Sequence, residues 1–170
     1  MLGKYNPAGR LPITFYNAID DILAFDDYSM KGKTYRYVTK PVLYPFGYGL
    51  SYTTFVYSQL KLSSKILSSK STLKIDLTIK NTDNYDGDEV VQLYIKHDGI
   101  YMPIKELKGF KRIHLTKGAE QMISFNLKGS DIQHYNSKID DLGIIPGKIQ
   151  LFVGSSSTEA KLIGNFELKL

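Results

Sequence analysis

The stretch "STLKIDLTIKNTDNYDGDEVVQLYIKH", Ser71–His97, sets Leu73, Ile75, Leu77 and Ile79 against Lys74, Asp76, Thr78 and Lys80. Successive side chains of an extended chain point to opposite sides, so this alternation predicts a strand with one buried face. Val91, Leu93 and Ile95 repeat the pattern beyond "NTDNYDGD", Asn81–Asp88, a run of turn-forming residues that predicts a hairpin. The same run invites a calcium-loop reading. Placing Gly87 at the loop glycine puts Thr82 at the first ligand position and Leu93 at the twelfth, where acids are required, so the motif fails.

Working outward, Val56, Leu60 and Leu62 mark an earlier strand, and "IKELKGFKRIHL" (Ile104–Leu115) a less regular one interrupted by Gly109. Ile123, Phe125 and Leu127 mark another, followed by Ile149, Leu151 and Val153, and then by Leu162, Phe166 and Leu168 around Gly164. Turn signals at "HDGIYMP", "TKG", "IPG" and "GSSSTEA" separate them. Seven short strands without a long amphipathic helix predict an all-β fold, a seven-stranded β-sandwich of immunoglobulin-like or fibronectin type III-like kind. "SDIQHYN" (Ser130–Asn136) reads as one helical turn, with Ser130 as cap and Ile132 and Tyr135 pointing inward.

Residues 1–54 differ. They hold four of the six prolines, two acidic pairs and many rings, with no sustained period of either kind. Such a segment has too much apolar surface for a disordered tail and too little pattern to fold alone. It is expected to be a largely irregular arm lying against something else, with the sandwich occupying 55–170.

Composition narrows the function classes. Zero cysteines exclude disulfides, thiol catalysis and cysteine-ligated zinc. No apolar run approaches the roughly 18–20 residues a spanning helix needs, so no membrane partner is expected, and "MLGKYNPAGR" lacks the apolar region of a secretory signal. Net charge is +5, yet only three of the 22 basic residues are arginine and they are scattered among 17 acids. No nucleic-acid partner is expected from that pattern.

Glycoside hydrolysis needs two carboxylates facing each other across a bond. Asp20/Asp21, Asp26/Asp27 and Asp140/Asp141 are sequence neighbours, which point apart on an extended chain, and read as solvated loop acids. His97, His114 and His134 lack metal-ligand spacing. "GSSST" is no nucleophile elbow, and glycine-rich phosphate loops are missing. No catalytic residue, cofactor or metal ligand is therefore expected. "PVLYPFGYGLSYTTF" (Pro41–Phe55) remains, where Tyr44, Phe46, Tyr48, Tyr52 and Phe55 could either stack on sugars or anchor a connector. An oligosaccharide platform on the sandwich would have to draw on Tyr57, Tyr85, Tyr94, Tyr101 and Phe152.

Several segments together resemble one family. "NPAGRLPITFY" (Asn6–Tyr16), "DYSMKGKTYRY" (Asp27–Tyr37), "LYPFGYGLSYTTF" (Leu43–Phe55), "NTDNYDGDEVVQLYI" (Asn81–Ile95), "KELKGFKRIHL" (Lys105–Leu115) and "PGKIQLFVGSSS" (Pro146–Ser157) are similar, in order, to the C-terminal part of family 3 glycoside hydrolases, the group that includes bacterial beta-glucosidases. The resemblance implies the end of an alpha/beta sandwich domain, a connector, and a fibronectin type III-like domain. It assigns Tyr35, Arg36, Tyr37, Tyr44, Phe46, Tyr48, Tyr52 and Phe55 to the connector. It implies partnership with the catalytic domains of such an enzyme, and in the isolated chain an arm that folds back, frays or self-associates. The family's aspartate nucleophile sits in an N-terminal barrel, in a motif like "SDW". This sequence has no tryptophan, and no residue in it inherits that role.

Overall fold

The computed structural model describes residues 5–99, 102–137 and 139–170. Among the described residues ten strands follow an N-terminal arm: β1 (Phe55–Leu62), β2 (Ile66–Ser68), β3 (Thr72–Asn81), β4 (Gly87–His97), β5 (Glu106–Leu115), β6 (Glu120–Lys128), β7 (His134–Asn136), β8 (Asp141–Gly143), β9 (Gly147–Gly154) and β10 (Ala160–Lys169). Seven of these are the long strands expected from alternation, and β2, β7 and β8 are three-residue additions too short to show a period.

The strands form two facing sheets, β1-β3-β6 and β2-β10-β9-β4-β5, with β7-β8 as a separate pair. Antiparallel register sets Ile75 opposite Phe125 and Leu77 opposite Ile123 in the smaller sheet, and Leu93 opposite Val153 in the larger. The inward rows of both sheets, with Phe166 and Leu168, make one core whose members are nearly all under a tenth exposed. Burying each such side chain is worth about 1.5–3 kcal/mol. Among the described residues no helix is long and apolar enough to cross a membrane.

Three expectations are corrected. Asn81–Asp88 is not a hairpin: β3 and β4 belong to different sheets, and the loop arches between them. Buried Asn81 holds the arch, its amide donating to the carbonyls of Tyr85 (2.8 Å) and Leu115 (3.1 Å) while its Oδ1 accepts from the Asp83 N–H. In β1 a bulge between Ser58 and Lys61, with Gln59 at φ 55°, shifts the phase. Tyr57 therefore points inward before the bulge and Leu60 and Leu62 after it, while Val56 faces solvent. Gly164 of β10 leaves room for this irregular row, since a Cβ there would meet Leu60 at 3.3 Å. Lastly, Ser130–Asn136 is a 3-10 turn, Gly129–Asp131, running into β7. Ile132 is buried as expected, but Tyr135 is exposed and donates to Asp140, and the backbone of Lys128 is capped by Asp131 rather than by Ser130.

The arm is irregular apart from a 3-10 turn at Ile19–Asp21 and a single helical turn, α1 (Thr34–Tyr37). It lies on the outer face of the five-stranded sheet. That is why Gln92 and Tyr94 of β4, which alternate with the core residues, are as buried as their neighbours.

Candidate functional site

Two segments of the arm run antiparallel. Leu11 N–H donates to the Tyr48 carbonyl (2.8 Å), Gly47 N–H to Leu11 (2.8 Å), Phe15 N–H to Tyr44 (2.9 Å) and Leu43 N–H to Phe15 (2.9 Å). A turn closed by Tyr48 N–H on the Pro45 carbonyl (3.1 Å), with Gly47 at φ 81°, interrupts the extended run, so Phe46 points toward the sandwich while Tyr44 and Tyr48, two residues to either side, point away.

The inner row is locked. Phe46 stacks on Tyr35 with centroids 4.3 Å apart, and Tyr35 meets buried Tyr94 edge-on at 6.0 Å. The Phe46 carbonyl accepts from Ser157 N–H (2.9 Å), and the Tyr35 hydroxyl from Leu107 N–H (3.1 Å). Gln92 reaches out of β4, its amide donating to the carbonyls of Gly47 (3.2 Å) and Ser155 and its Oε1 accepting from Tyr94 (2.5 Å). Gly47 holds φ 81°, and a Cβ on it would collide with Gln92, so both the turn and the close approach require glycine there. Arg36 forms an ion pair with Glu106 of β5, and its guanidinium lies 5.8 Å from the Tyr37 ring centroid.

A second anchor lies at the start of the arm. Arg10 Nη2 sits 2.8 Å from Glu89 Oε2, whose other oxygen accepts from the Tyr57 hydroxyl at 2.7 Å. Burial and the neighbouring carboxylate push the Tyr57 phenol well above its ordinary range. Asn6 is saturated: its amide donates to Thr53 Oγ1 (2.7 Å) and the Asp86 carbonyl (2.9 Å), and its Oδ1 accepts from Ser51 (3.0 Å) and Tyr52 N–H (2.9 Å).

The outer row is open. Tyr44 and Tyr48 stack at 5.1 Å, and Phe15 meets Tyr44 edge-on at 6.1 Å. With Arg10, Leu11 and Leu50 they line a mainly apolar groove of about 540 Å³. Phe25 is fully exposed, and Ile19, Tyr28, Leu50 and Tyr52 are more than half exposed, so the arm carries large apolar side chains uncovered on the side away from the sandwich.

The eight connector residues therefore divide. Tyr35, Arg36, Phe46 and Phe55 engage the sandwich, Tyr37 borders a cavity beside β7, and Tyr44, Tyr48 and Tyr52 face outward. Among the described residues the sandwich platform does not assemble. Tyr57 and Tyr94 are buried, because Tyr57 takes the inward phase of β1 ahead of the bulge and the arm covers Tyr94; Tyr85 stands exposed on the arch, Phe152 lies under Lys105, and Tyr101 falls outside the described residues. Among the described residues no group of three or more histidine or acidic side chains could hold a metal. Glu89 and Gln92 belong to no motif that marks them in the sequence. The signal for Glu89 was an acid in the inward phase of Val91, Leu93 and Ile95.

Comparison with known proteins places this geometry. Residues 1–52 match the Glycosyl hydrolase family 3 C-terminal domain, and residues 89–157 the fibronectin type III-like domain. The chain is similar to a xylan 1,4-beta-xylosidase of Xylanibacter ruminicola, at 34% identity over 95% of this chain and 19% of that protein. It is similar to thermostable beta-glucosidase B of Acetivibrio thermocellus, at 33% identity over 95% of this chain and 23% of that protein. The crystal structure of a Bifidobacterium adolescentis GH3 beta-glucosidase superposes with TM-score 0.85 and 28% identity, covering 98% of this chain and 26% of that one. The chain thus spans roughly a fifth to a quarter of the length of the curated relatives it matches.

Proposed function

Since the chain belongs to the C-terminal region of family 3 glycoside hydrolases, we propose that it is a non-catalytic unit that stabilises and positions the catalytic domains of a beta-glucosidase- or beta-xylosidase-like enzyme. In this reading residues 1–54 are the connector and 55–170 the supporting sandwich. The observation that carries it is the two-faced arm, with one row of rings locked to the sandwich and another, Phe15, Tyr44 and Tyr48, left open around a groove. An exposed, contiguous apolar face of this kind marks an interaction surface.

The test mixes the purified chain with a family 3 beta-glucosidase expressed without the region this chain matches. The expected result is no turnover of aryl β-glucosides or β-xylosides by the chain alone, binding to the remainder, and a rise in that partner's thermal midpoint. Tyr44→Ser with Tyr48→Ser should weaken binding by at least about tenfold, since aromatic anchors of an interface commonly cost upward of 1–2 kcal/mol when truncated. Turnover by the chain alone would overturn the reading. So would saturable oligosaccharide binding without association, or a concentration-dependent dimer that buries the same rings.

A further inference from the structure

Three polar contacts hold α1 to the sandwich edge, beside the Tyr35–Tyr94 ring contact. The Arg36 carbonyl accepts from Ile104 N–H at 2.7 Å, the Tyr35 hydroxyl accepts from Leu107 N–H at 3.1 Å, and the Arg36 guanidinium pairs with Glu106. Glu106 is shared: its Oε2 lies 3.4 Å from Lys108 Nζ and 3.8 Å from His134 Nε2, the latter too long for a hydrogen bond. Beyond His134 stands His97, with ring centroids 5.6 Å apart. His97 Nε2 lies 2.9 Å from the Ile145 carbonyl, which can only accept, so Nε2 carries the proton and Nδ1 of the neutral ring keeps a lone pair. His97 Nδ1, His134 Nε2 and Arg36 Nε are all buried without a hydrogen-bond partner among the described residues. The cluster borders a cavity of about 710 Å³ lined by Arg36, Tyr37, Gln133 and His134 among others.

The charge of His134 is the variable in this arrangement. When neutral it leaves Glu106 to Arg36. When protonated it faces Glu106 as an opposite charge and Arg36, Lys108 and His97 as unfavourable neighbours. Burial first, and then those three groups against the pull of Glu106, hold the imidazole below its ordinary value. A histidine lowered in this way gives stability that is complete above its unfolded value, near 6.5, and is lost as pH falls below it. Withdrawing α1 would remove Arg36 and admit water to His134, and both changes favour the proton. A proton that binds more tightly to the released form shifts the population toward it.

We propose that Arg36, Glu106 and His134 form an acid-released clasp, in which a proton taken up by His134 draws Glu106 from Arg36 and frees the arm helix from β5 while the sandwich stays folded. The clasp is a property of this chain and does not depend on the proposed partner.

The test is amide hydrogen exchange on the whole chain at about pH 7.5 and about pH 5, on either side of the ordinary imidazole value, expressed as protection factors to remove intrinsic pH dependence. Protection at Ile104 and Leu107 should fall by about tenfold or more at the lower pH relative to Leu77 in the core, the change expected when a proton binds tenfold tighter to the released form. His134→Gln, a neutral replacement, should hold both amides protected at both pH values. Equal wild-type protection at both would overturn the clasp, as would an undiminished pH dependence in the variant. If the variant fails to fold, the wild-type ring resonance of His134 decides: a midpoint below that of the urea-unfolded chain and coincident with the loss of protection supports the clasp, and one at or above it refutes it.

Discussion

Arg10 and Glu89 are 10% and 3% exposed, so their pairing is worth what its removal would strand rather than what the contact itself gives. Arg10→Met leaves a buried carboxylate with Tyr57 as its remaining donor among the described contacts, and breaking such a pair costs about 3–5 kcal/mol. Arg10→Met combined with Glu89→Leu removes both charges and should lose less than the single variant. Urea unfolding of these two variants and of Glu89→Leu alone checks the ordering, and a double-variant loss equal to the sum of the singles would show that the two residues act independently. Half of this site was legible. Glu89 breaks the apolar phase of β4, whereas Arg10 stands 79 residues away in a stretch without period, and no local pattern points from one to the other.

At the scale of elements, alternation gives away the long strands because a period of two follows from extended geometry alone. It does not give their partners, since the same inward row fits either sheet, and so β3 and β4 read as a hairpin although an arch takes them to opposite sheets. It also misses the β1 bulge, where one added residue reverses the face of everything after it. The arm was legible by composition and not by geometry: its rings were conspicuous, but their division into inner and outer rows depends on the Pro45–Tyr48 turn that interrupts the pairing of Leu11–Phe15 with Leu43–Tyr48. Gly47 is the residue on which that pairing turns. Gly47→Ala adds a left-handed penalty of about 1–2 kcal/mol and a collision with Gln92. The expected outcome is faster proteolytic cleavage within the first 50 or so residues, with the amide protection of β3 and β6 unchanged. Loss of protection throughout the sandwich would show that arm and core unfold as one unit.

For the whole molecule, the question is whether the sandwich needs its arm. Among the described residues, the apolar core between the sheets contains none of the arm's side chains. The outer face of β4 does depend on the arm: without it Tyr94 loses Tyr35 and Gln92 loses the Gly47 carbonyl, though both keep bonds within the sandwich. Re-exposing Tyr94 costs about 1.5–3 kcal/mol, and Glu89 without Arg10 adds a buried charge that water can now reach. A chain of residues 53–170 should therefore still unfold in one cooperative step, at a lower urea midpoint. Glu89→Gln should restore part of the loss in that shortened chain while destabilising the full one, because the same carboxylate is paired in one and stranded in the other. Opposite signs for one substitution in two lengths of chain are a result that general destabilisation cannot produce. Equal signs would mean that Tyr57 alone satisfies Glu89 and that the arm is held by its rings.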